Sequence, residues 1–267
     1  MILQKFPLGF QWPTQEPFLF CVHHLDHYPE GNGRLGVEDH FLEGRNIGQD
    51  FQEKDGFRMY HGDEVPGFPV HPHRGFETVT IVRKGFIDHA DSMGAAGRYG
   101  EGDVQWMTAG RGVQHSEMFP LIHADQKNTV ELFQIWLNLP RAKKMSEPHF
   151  TMFWNEKIPT LSLDDGRASL TLITGTYGGV SPLAPPPESW ASDAKSEVAI
   201  WLFRLEKGAR VTLPKASAGV ARTLYLFEGE SLQIVGASLE KIEKATGAVL
   251  RADSDAEIEA AEGAAQF

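Results

Sequence analysis

Two short motifs restrict most strongly how this chain can fold. His71-Pro72-His73 precedes an alternating segment at residues 77–82, ETVTIV, and His115-Ser116-Glu117 follows further along the chain. In a β-strand, residues two apart point to the same face, so each motif can present two metal-binding side chains to one ion. Proline lacks a backbone donor, which predicts an edge strand or a strand start for the first motif. Two such strands lying opposite each other would form a metal site.

The rest of the chain indicates a β protein. Its 27 Gly and 16 Pro supply many turns, and turns of this density favour β architecture over helix bundles. Strands are predicted at FLFCVHHLDHYP, DVQWMTAG, GVQHSEMF and VELFQIWLNLP, with a tight turn at residues 109–112 and a long loop at residues 31–55. Further strands are predicted within residues 198–235. KKMSEPHFTMFWNEKIP is predicted as a connecting segment, and DSDAEIEAAEGAAQF as a short acidic helix.

Charge and cysteine content exclude several classes of function. The formal net charge of −11 repels phosphate backbones, so direct nucleic-acid binding is not expected. One cysteine, Cys21, excludes an internal disulfide framework, and its apolar neighbours predict a packed thiol. No apolar run approaches the roughly 20 residues that span a bilayer, and the first residues lack the pattern of a secretory leader. A cytoplasmic protein that binds no membrane is therefore expected.

The motifs predict one mononuclear transition-metal site. Imidazole and carboxylate ligands without thiolate suit Fe(II), Mn, Ni, Cu or Zn, and the carboxylate favours ferrous iron. Two glutamates compete for the role of carboxylate ligand. Glu117 lies two residues after His115, and Glu77 lies four residues after His73, so strict alternation points both inward. Spacing alone leaves the choice open.

At this point the sequence resembles a known family. HPHRGFETVTIV, HADSMG and GDVQWMTAGRGVQHSEM closely resemble the pirin family of the cupin superfamily, most specifically from about Phe18 to Pro140. The resemblance implies an all-β bicupin, in which two β-barrels pack face to face. Residues 1–140 would form the metal-binding barrel and residues 141–267 a cupin-like barrel without a metal site. Pirin-like chains usually continue past residue 267, which leaves open whether the second barrel is complete.

The resemblance also implies ligands and an activity. The ligands would be His71, His73, His115 and Glu117, with Fe(II) as the metal and Mn, Ni, Cu or Zn as alternatives. Pirin-like proteins include members that resemble quercetin 2,3-dioxygenases, which implies a flavonol-like aromatic substrate and O2, with Glu117 as the catalytic proton acceptor. The residues expected to line the cavity are Phe76, Trp106 and Met107, and less strongly His61 and His89.

Two alternative functions remain at this stage. Other pirin-like members resemble redox-sensing regulators that act through protein partners in transcription or metabolism. A cupin-type isomerase, which would use the metal as a Lewis acid, fits the motifs less well.

Overall fold

In the computed structural model, residues 1–235 and 239–267 are described, and almost all of their regular structure is β-strand. Within these residues the strands are, in chain order, β1 (Ile2–Pro7), β2 (Phe18–Tyr28), β3 (Gly67–His73), β4 (Phe76–Lys84), β5 (Phe86–Asp91), β6 (Ala96–Gly100), β7 (Val104–Thr108), β8 (Val113–Met118), β9 (Asn128–Asn138), β10 (His149–Phe153), β11 (Thr160–Leu163), β12 (Ala168–Thr174), β13 (Ile200–Leu205), β14 (Arg210–Leu213), β15 (Arg222–Leu226), β16 (Ser231–Val235), β17 (Glu240–Glu243), β18 (Thr246–Leu250), β19 (Ala256–Glu259) and β20 (Ala265–Gln266).

The helical segments in the described ranges are single 3₁₀ turns of three residues each. They are Asp39–Phe41, Arg141–Lys143, Asn155–Lys157, Asp164–Gly166, Trp190–Ser192 and Ala194–Ser196. Over those same ranges, no helix has the length and apolar character needed to cross a membrane. The predicted loop at residues 31–55 contains one of these turns and no strand, as the sequence indicated.

The chain divides into two compact units. One comprises Val22–Asn155, and the other combines Met1–Cys21 with Glu156–Phe267. This division differs from the sequence-based boundary at residue 140. The segment predicted as a connection after Pro140 contains β10, which pairs with β7 along its whole length and so stays with the first of these units.

The unit Val22–Asn155 contains two antiparallel sheets that face each other. Their strand orders are β10-β7-β4-β9-β2 and β3-β8-β5-β6, and side chains of Thr80 on β4 and Glu117 on β8 meet between them. A compact aromatic and aliphatic core fills part of the interior. Its buried members are Tyr28, Val37, Phe57, Met59, Tyr60, Val82, Ile87, Tyr99, Phe119, Leu121, Val130 and Leu132.

Gly67 begins β3 at a position that a larger residue would not fit. Its φ of +128° lies in the region that favours glycine. A Cβ there would lie 2.5 Å from the carbonyl oxygen of Glu117 and 2.8 Å from Cα of Met118. The glycine therefore allows β3 to approach β8 closely, and these two strands carry the two metal-binding motifs.

The other unit consists of three small antiparallel sheets, with strand orders β1-β18-β15, β11-β12-β13-β20 and β14-β19-β16-β17. Its core is mostly aliphatic, and includes the fully buried Leu170, Leu172, Leu205, Leu226 and Leu232. The strands predicted within residues 198–235 are confirmed as β13 to β16. In contrast, the acidic helix predicted near the C-terminus is wrong, because this segment forms β19 and β20.

Candidate metal centre

The two motifs lie on neighbouring strands, directly opposite each other. β3 is an edge strand of its sheet, as the proline between its two histidines predicts. It pairs with β8 so that His71 faces His115 in the register, and an irregularity between Phe68 and His71 shifts the pairing just before them. Residues two apart share a face, so His73 joins the same group.

The three imidazoles converge on one point. One ring nitrogen from each of His71, His73 and His115 lies within 4.8 Å of the other two. Nε2 of His71 and Nε2 of His73 are 3.1 Å apart. His71 is partly exposed, whereas His73 is 7% exposed and His115 is 1% exposed. The group is therefore open on the His71 side and enclosed behind it.

Glu117 lies beside this group with its carboxylate held in place. Its Oε2 is 3.8 Å from Nε2 of His115 and accepts a hydrogen bond of 2.8 Å from the side-chain amide of Gln134. The hydroxyl of Thr80 lies 3.0 Å from the other oxygen, Oε1. It also lies 3.1 Å from Oε1 of Gln134, so it can donate its single proton to only one of them at a time.

Glu77 faces away from the histidines. Alternation along β4 places Thr80, which contacts Glu117, on the inner face and Glu77 on the opposite face. There the carboxylate is fully buried and accepts a 2.6 Å hydrogen bond from the hydroxyl of Thr108. The expectation that alternation points Glu77 inward is wrong, because the turn at Arg74 and Gly75 ends β3 before β4 begins.

The electrostatic surroundings keep the buried imidazoles neutral. Burial, with the neighbouring His115 and His71, lowers the pKa of His73 to about 3. Burial, with the neighbouring His71 and His89, lowers the pKa of His115 to about 3. Neutral imidazole is the form that binds metal ions, so no proton has to leave these two rings at neutral pH.

The donor set fits a transition metal. Neither ring nitrogen of His115 has a hydrogen-bond partner in the described part of the chain. A buried polar side chain left without a partner is destabilising, and a metal ion would satisfy one of the two nitrogens. Imidazoles and a carboxylate without thiolate suit iron, nickel, copper, manganese and zinc.

The surroundings of the group differ in part from the sequence-based expectation. Phe76 lies on the inner face of β4, with its ring centroid 5.0 Å from that of His73. Trp106 lies on the opposite face of its sheet, because it pairs with Val79 and contacts Phe153. The tryptophan that contacts His73 is instead Trp136 on β9, with ring centroids 5.4 Å apart.

The two histidines that were less strongly expected to line the cavity, His61 and His89, lie in different surroundings. His61 is exposed, and its Nδ1 lies 2.7 Å from the carbonyl oxygen of Gly48. His89 is 3% exposed, and its ring centroid is 5.4 Å from that of His115. His89 therefore lies beside the three-histidine group. Gln134 and Trp136, which also contact the site, carried no sequence signal because the role of each depends on pairing between distant strands.

Thr80→Val tests whether the orientation of Glu117 matters for metal affinity. The substitution keeps the shape of the side chain but removes the hydroxyl next to Oε1 of Glu117. Loss of a group that orients a ligand typically lowers metal affinity about 10- to 100-fold, and we expect the lower end because Gln134 remains. The measurement is a competitive titration of apo protein with Ni(II) or Zn(II).

Thr78→Val provides the matched control for this titration. Thr78 lies on the same strand and face and is also fully buried, and its hydroxyl has no hydrogen-bond partner among the described residues. The control variant should keep wild-type affinity. Equal affinities for both variants and the wild type would show that Thr80 does not orient a ligand.

Comparison with known proteins finds similarity in the part of the chain that contains the two motifs. The family model described as Pirin matches residues 14–137, a range that contains both histidine motifs. A Pseudomonas aeruginosa protein named "Putative quercetin 2,3-dioxygenase" is 40% identical over 147 residues, which cover 55% of this chain and 49% of that protein. The chain thus spans about half the length of this curated relative.

Solved structures extend the similarity to the whole chain. The crystal structure of a quercetin 2,3-dioxygenase from Acinetobacter baumannii has a TM-score of 0.74 and 25% sequence identity to this chain. The similarity covers 100% of this chain and 84% of that one. Bacterial pirin YhhW from Escherichia coli, crystallised in complex with nickel(II), has a TM-score of 0.52 and 17% sequence identity. That similarity covers 98% of this chain and 96% of the other. The second similarity concerns the fold alone. The nearly all-β architecture is therefore of the cupin type.

Proposed function

Because this chain belongs to the pirin family, through its domain at residues 14–137, we propose that it is a mononuclear metal protein that opens flavonols with O2, as a quercetin 2,3-dioxygenase does. The proposed ligands are His71, His73, His115 and Glu117, and the proposed metal is Fe(II). The observation that carries this proposal is the convergence of three imidazole nitrogens within 4.8 Å, one of them on a fully enclosed ring without a hydrogen-bond partner in the described residues.

The arrangement of the proposed ligands leaves room for substrate. Three imidazoles and one carboxylate would hold the metal through four ligands, and a transition metal that accepts up to six would keep open positions. A bound metal would supply Lewis-acid and redox chemistry toward a flavonol and O2. The partly exposed side of the group, at His71, is where a small molecule would enter.

Glu117 is the proposed proton acceptor. A flavonol must lose its hydroxyl proton to react, and the acceptor has to lie within hydrogen-bond reach of that proton. Oε2 of Glu117 is held at 3.8 Å from Nε2 of His115, so it borders the space where the ligand would lie. Gln134 and Thr80 hold the carboxylate in a fixed orientation, and this limits the motion needed to take up a proton.

Phe76 and Trp136 form a candidate aromatic wall for a planar substrate. Their ring centroids are 4.7 Å apart, and both contact the ring of His73. Both side chains are partly exposed, so part of their surface is available to a ligand. Aromatic rings stack favourably on one another, and burying a flat ligand here would also exclude water from the reacting atoms.

The test is metal reconstitution followed by an oxygen-dependent assay. Apo protein is loaded anaerobically with Fe(II), Mn(II), Co(II), Ni(II), Cu(II) or Zn(II), mixed with quercetin, and then exposed to O2. We expect loss of the quercetin absorbance band, uptake of O2 and release of carbon monoxide with Fe(II), and none of these with apo protein. If no metal supports turnover although the protein binds it, the dioxygenase proposal is wrong, and the metal-dependent regulator expected as the alternative from sequence would explain the site better.

A further inference from the structure

A second pair of buried polar side chains lies beside the three-histidine group. His89 and Asp91 are two residues apart on β5, and both point into the interior of the unit. In the register with β8, His89 lies opposite Glu117 and Asp91 lies opposite His115. Their side chains are 1% and 0% exposed. Neither belongs to the group of converging nitrogens, so the pair has a role still to be explained.

Asp91 fixes the orientation of the His89 ring. Nε2 of His89 lies 3.0 Å from Oδ2 of Asp91. The other oxygen, Oδ1, accepts hydrogen bonds from the backbone N–H groups of Met93 and Ala95, at 2.8 Å and 3.1 Å. A carboxylate anchored in this way can only accept, so Nε2–H of His89 donates to it. In the neutral ring, Nδ1 then carries no proton and is a hydrogen-bond acceptor.

This acceptor has no partner in the described part of the chain. The ring contacts those of His115 and Phe150, with centroid distances of 5.4 Å and 5.2 Å. A buried acceptor without a donor costs stability, so such groups in folded proteins usually face a water or a ligand. The structure therefore points to a donor outside the protein at Nδ1.

The side chain of Gln105 indicates that the same interior is suited to a polar ligand. It pairs with Thr80 in the register of β7 and β4, which places it on the inner face of its sheet. The side chain is fully buried, and both of its amide atoms lack a hydrogen-bond partner among the described residues. An interior filled only by apolar core would not leave two polar side chains in this state.

We propose that His89 is a specificity-determining residue whose Nδ1 accepts a hydrogen bond from one hydroxyl group of the small-molecule ligand bound at the three-histidine group. Asp91 acts through His89, as a positioning residue that sets which ring nitrogen is the acceptor. The proposal rests on the proposed function for the presence of a hydroxyl-bearing ligand, and it adds the protein group that selects one of the ligand's hydroxyls.

Asp91→Asn reverses the polarity of this acceptor with little change in shape. The amide oxygen of asparagine can still accept from Met93 and Ala95, while its NH2 group then faces Nε2 of His89. Nε2 has to become the acceptor, so the proton moves to Nδ1, which becomes a donor. Asp88→Asn is the matched control. Asp88 lies on the same strand and undergoes the same charge change, but it pairs with Arg98, at 2.7 Å and 2.8 Å, on a partly exposed surface.

The first measurement needs neither metal nor ligand. Nitrogen-15 NMR of histidine-labelled apo protein should show His89 with the proton on Nε2 in the wild type and in Asp88→Asn, and on Nδ1 in Asp91→Asn. A wild-type His89 with its proton on Nδ1 would overturn the proposal. If Asp91→Asn does not fold, His89→Phe replaces it in the binding experiment below, because phenylalanine preserves the packing against Phe150 and removes the acceptor.

The second measurement is ligand binding under anaerobic conditions to Zn(II)-loaded protein. The ligands are quercetin and analogues that each lack a different one of its hydroxyl groups. We expect removal of one particular hydroxyl to weaken binding to the wild type and to Asp88→Asn by up to about tenfold, as for one neutral hydrogen bond. In His89→Phe, which removes the nitrogen, removal of that hydroxyl should have no such effect. In Asp91→Asn the effect should be smaller than in the wild type, because the hydroxyl can then only accept from Nδ1–H and no longer donates.

Other outcomes of the binding experiment contradict the proposal. Equal losses for every analogue in wild type and variants would place water, and not a ligand hydroxyl, at Nδ1. Absence of flavonol binding altogether would also overturn it. Tight and selective binding without oxygen-dependent turnover would count only against the proposed dioxygenase activity, so the two failures are distinguishable.

Discussion

Protein carrying His115→Gln is expected to bind Fe(II), Ni(II) or Zn(II) at least about 100-fold more weakly than the wild type. Losing a group that only orients a ligand typically lowers metal affinity about 10- to 100-fold, and losing a proposed ligand should lower it further. His115 is the most buried of the three imidazoles, at 1% exposed. Its ring centroid lies 4.5 Å from that of His71 and 4.8 Å from that of His73. Glutamine fills much of the same volume, but its amide is a weak metal ligand.

The measurement combines metal analysis with a binding titration. Protein purified without chelators is assayed for metal content, and the apo forms are then titrated in competition with a chromogenic chelator. His61→Gln is the matched control, because His61 lies in the same unit but is exposed and bonded to the carbonyl of Gly48. Near-ultraviolet circular dichroism verifies that both variants are folded. Stoichiometric, tight metal binding by folded His115→Gln would contradict the proposed site.

The three histidines were predictable from local rules alone. Residues two apart on a strand share a face, and proline is tolerated at the edge of a sheet. Both rules apply to His71-Pro72-His73, which lies on the edge strand β3. The pairing of this strand with β8 requires only that two strands with complementary motifs be neighbours, and the register places His71 opposite His115.

Glu77 shows where counting along the chain fails. Alternation holds only within one strand, and Gly75, with a φ of +78°, lies in the turn that separates β3 from β4. The count from His73 crosses that turn, so it carries no information about the face on which Glu77 lies. From the residues alone the choice between Glu77 and Glu117 stayed open. The two carboxylates are distinguished by their contacts, with Thr108 for Glu77 and with Thr80 and Gln134 for Glu117.

The C-terminal segment shows how composition can mislead. Alanine and glutamate favour helix, and the sequence there is rich in both. The burial pattern has period two instead, because Ala256, Ile258 and Ala260 are fully buried while Glu257 and Glu259 are partly exposed. This alternation is that of a strand with one buried face. The periodicity was present in the sequence and indicates the structure better than helix propensity does.

Residues that support the site from other strands could not be predicted from one sequence. Gln134 and Trp136 reach the site because β9 pairs with β4. Each lies far along the chain from at least one of its partners, and nothing in its local pattern indicates a neighbour across the interior. Tertiary pairing determines these contacts.

The apo protein is expected to lose stability steeply as the pH falls below about 6.5, the ordinary pKa of histidine. Three buried imidazoles, of His24, His73 and His115, each have a pKa lowered to about 3, chiefly by burial. In the unfolded chain these groups take up protons near pH 6.5, whereas the folded protein takes them up only near pH 3. The unfolded state therefore binds more protons throughout this window, so acidification favours unfolding.

The expected size of this effect is large. Each group contributes a slope of up to about 1.4 kcal/mol per pH unit, so the three together reach ~4 kcal/mol per pH unit, against a typical total stability of about 5–15 kcal/mol. Asp26 acts in the opposite direction, because burial raises its pKa in the folded state. We therefore expect a net slope below that limit, but one still large enough to unfold the apo protein at a pH well above 4.

Urea denaturation of the apo protein at pH 7.5, 6.5, 5.5 and 5.0 measures this slope. His115→Gln should flatten it by the contribution of one imidazole, about 1.4 kcal/mol per pH unit. His40→Gln, which removes an exposed imidazole, should leave the slope unchanged. A free energy of unfolding that stays constant from pH 7.5 to 5.0 would mean that the three rings are not held neutral. If the slope is as expected, bound metal should add stability at pH 7.5, because the metal binds the folded state. The metal should be released as acid unfolds the protein, because protons compete with it for the ligand side chains.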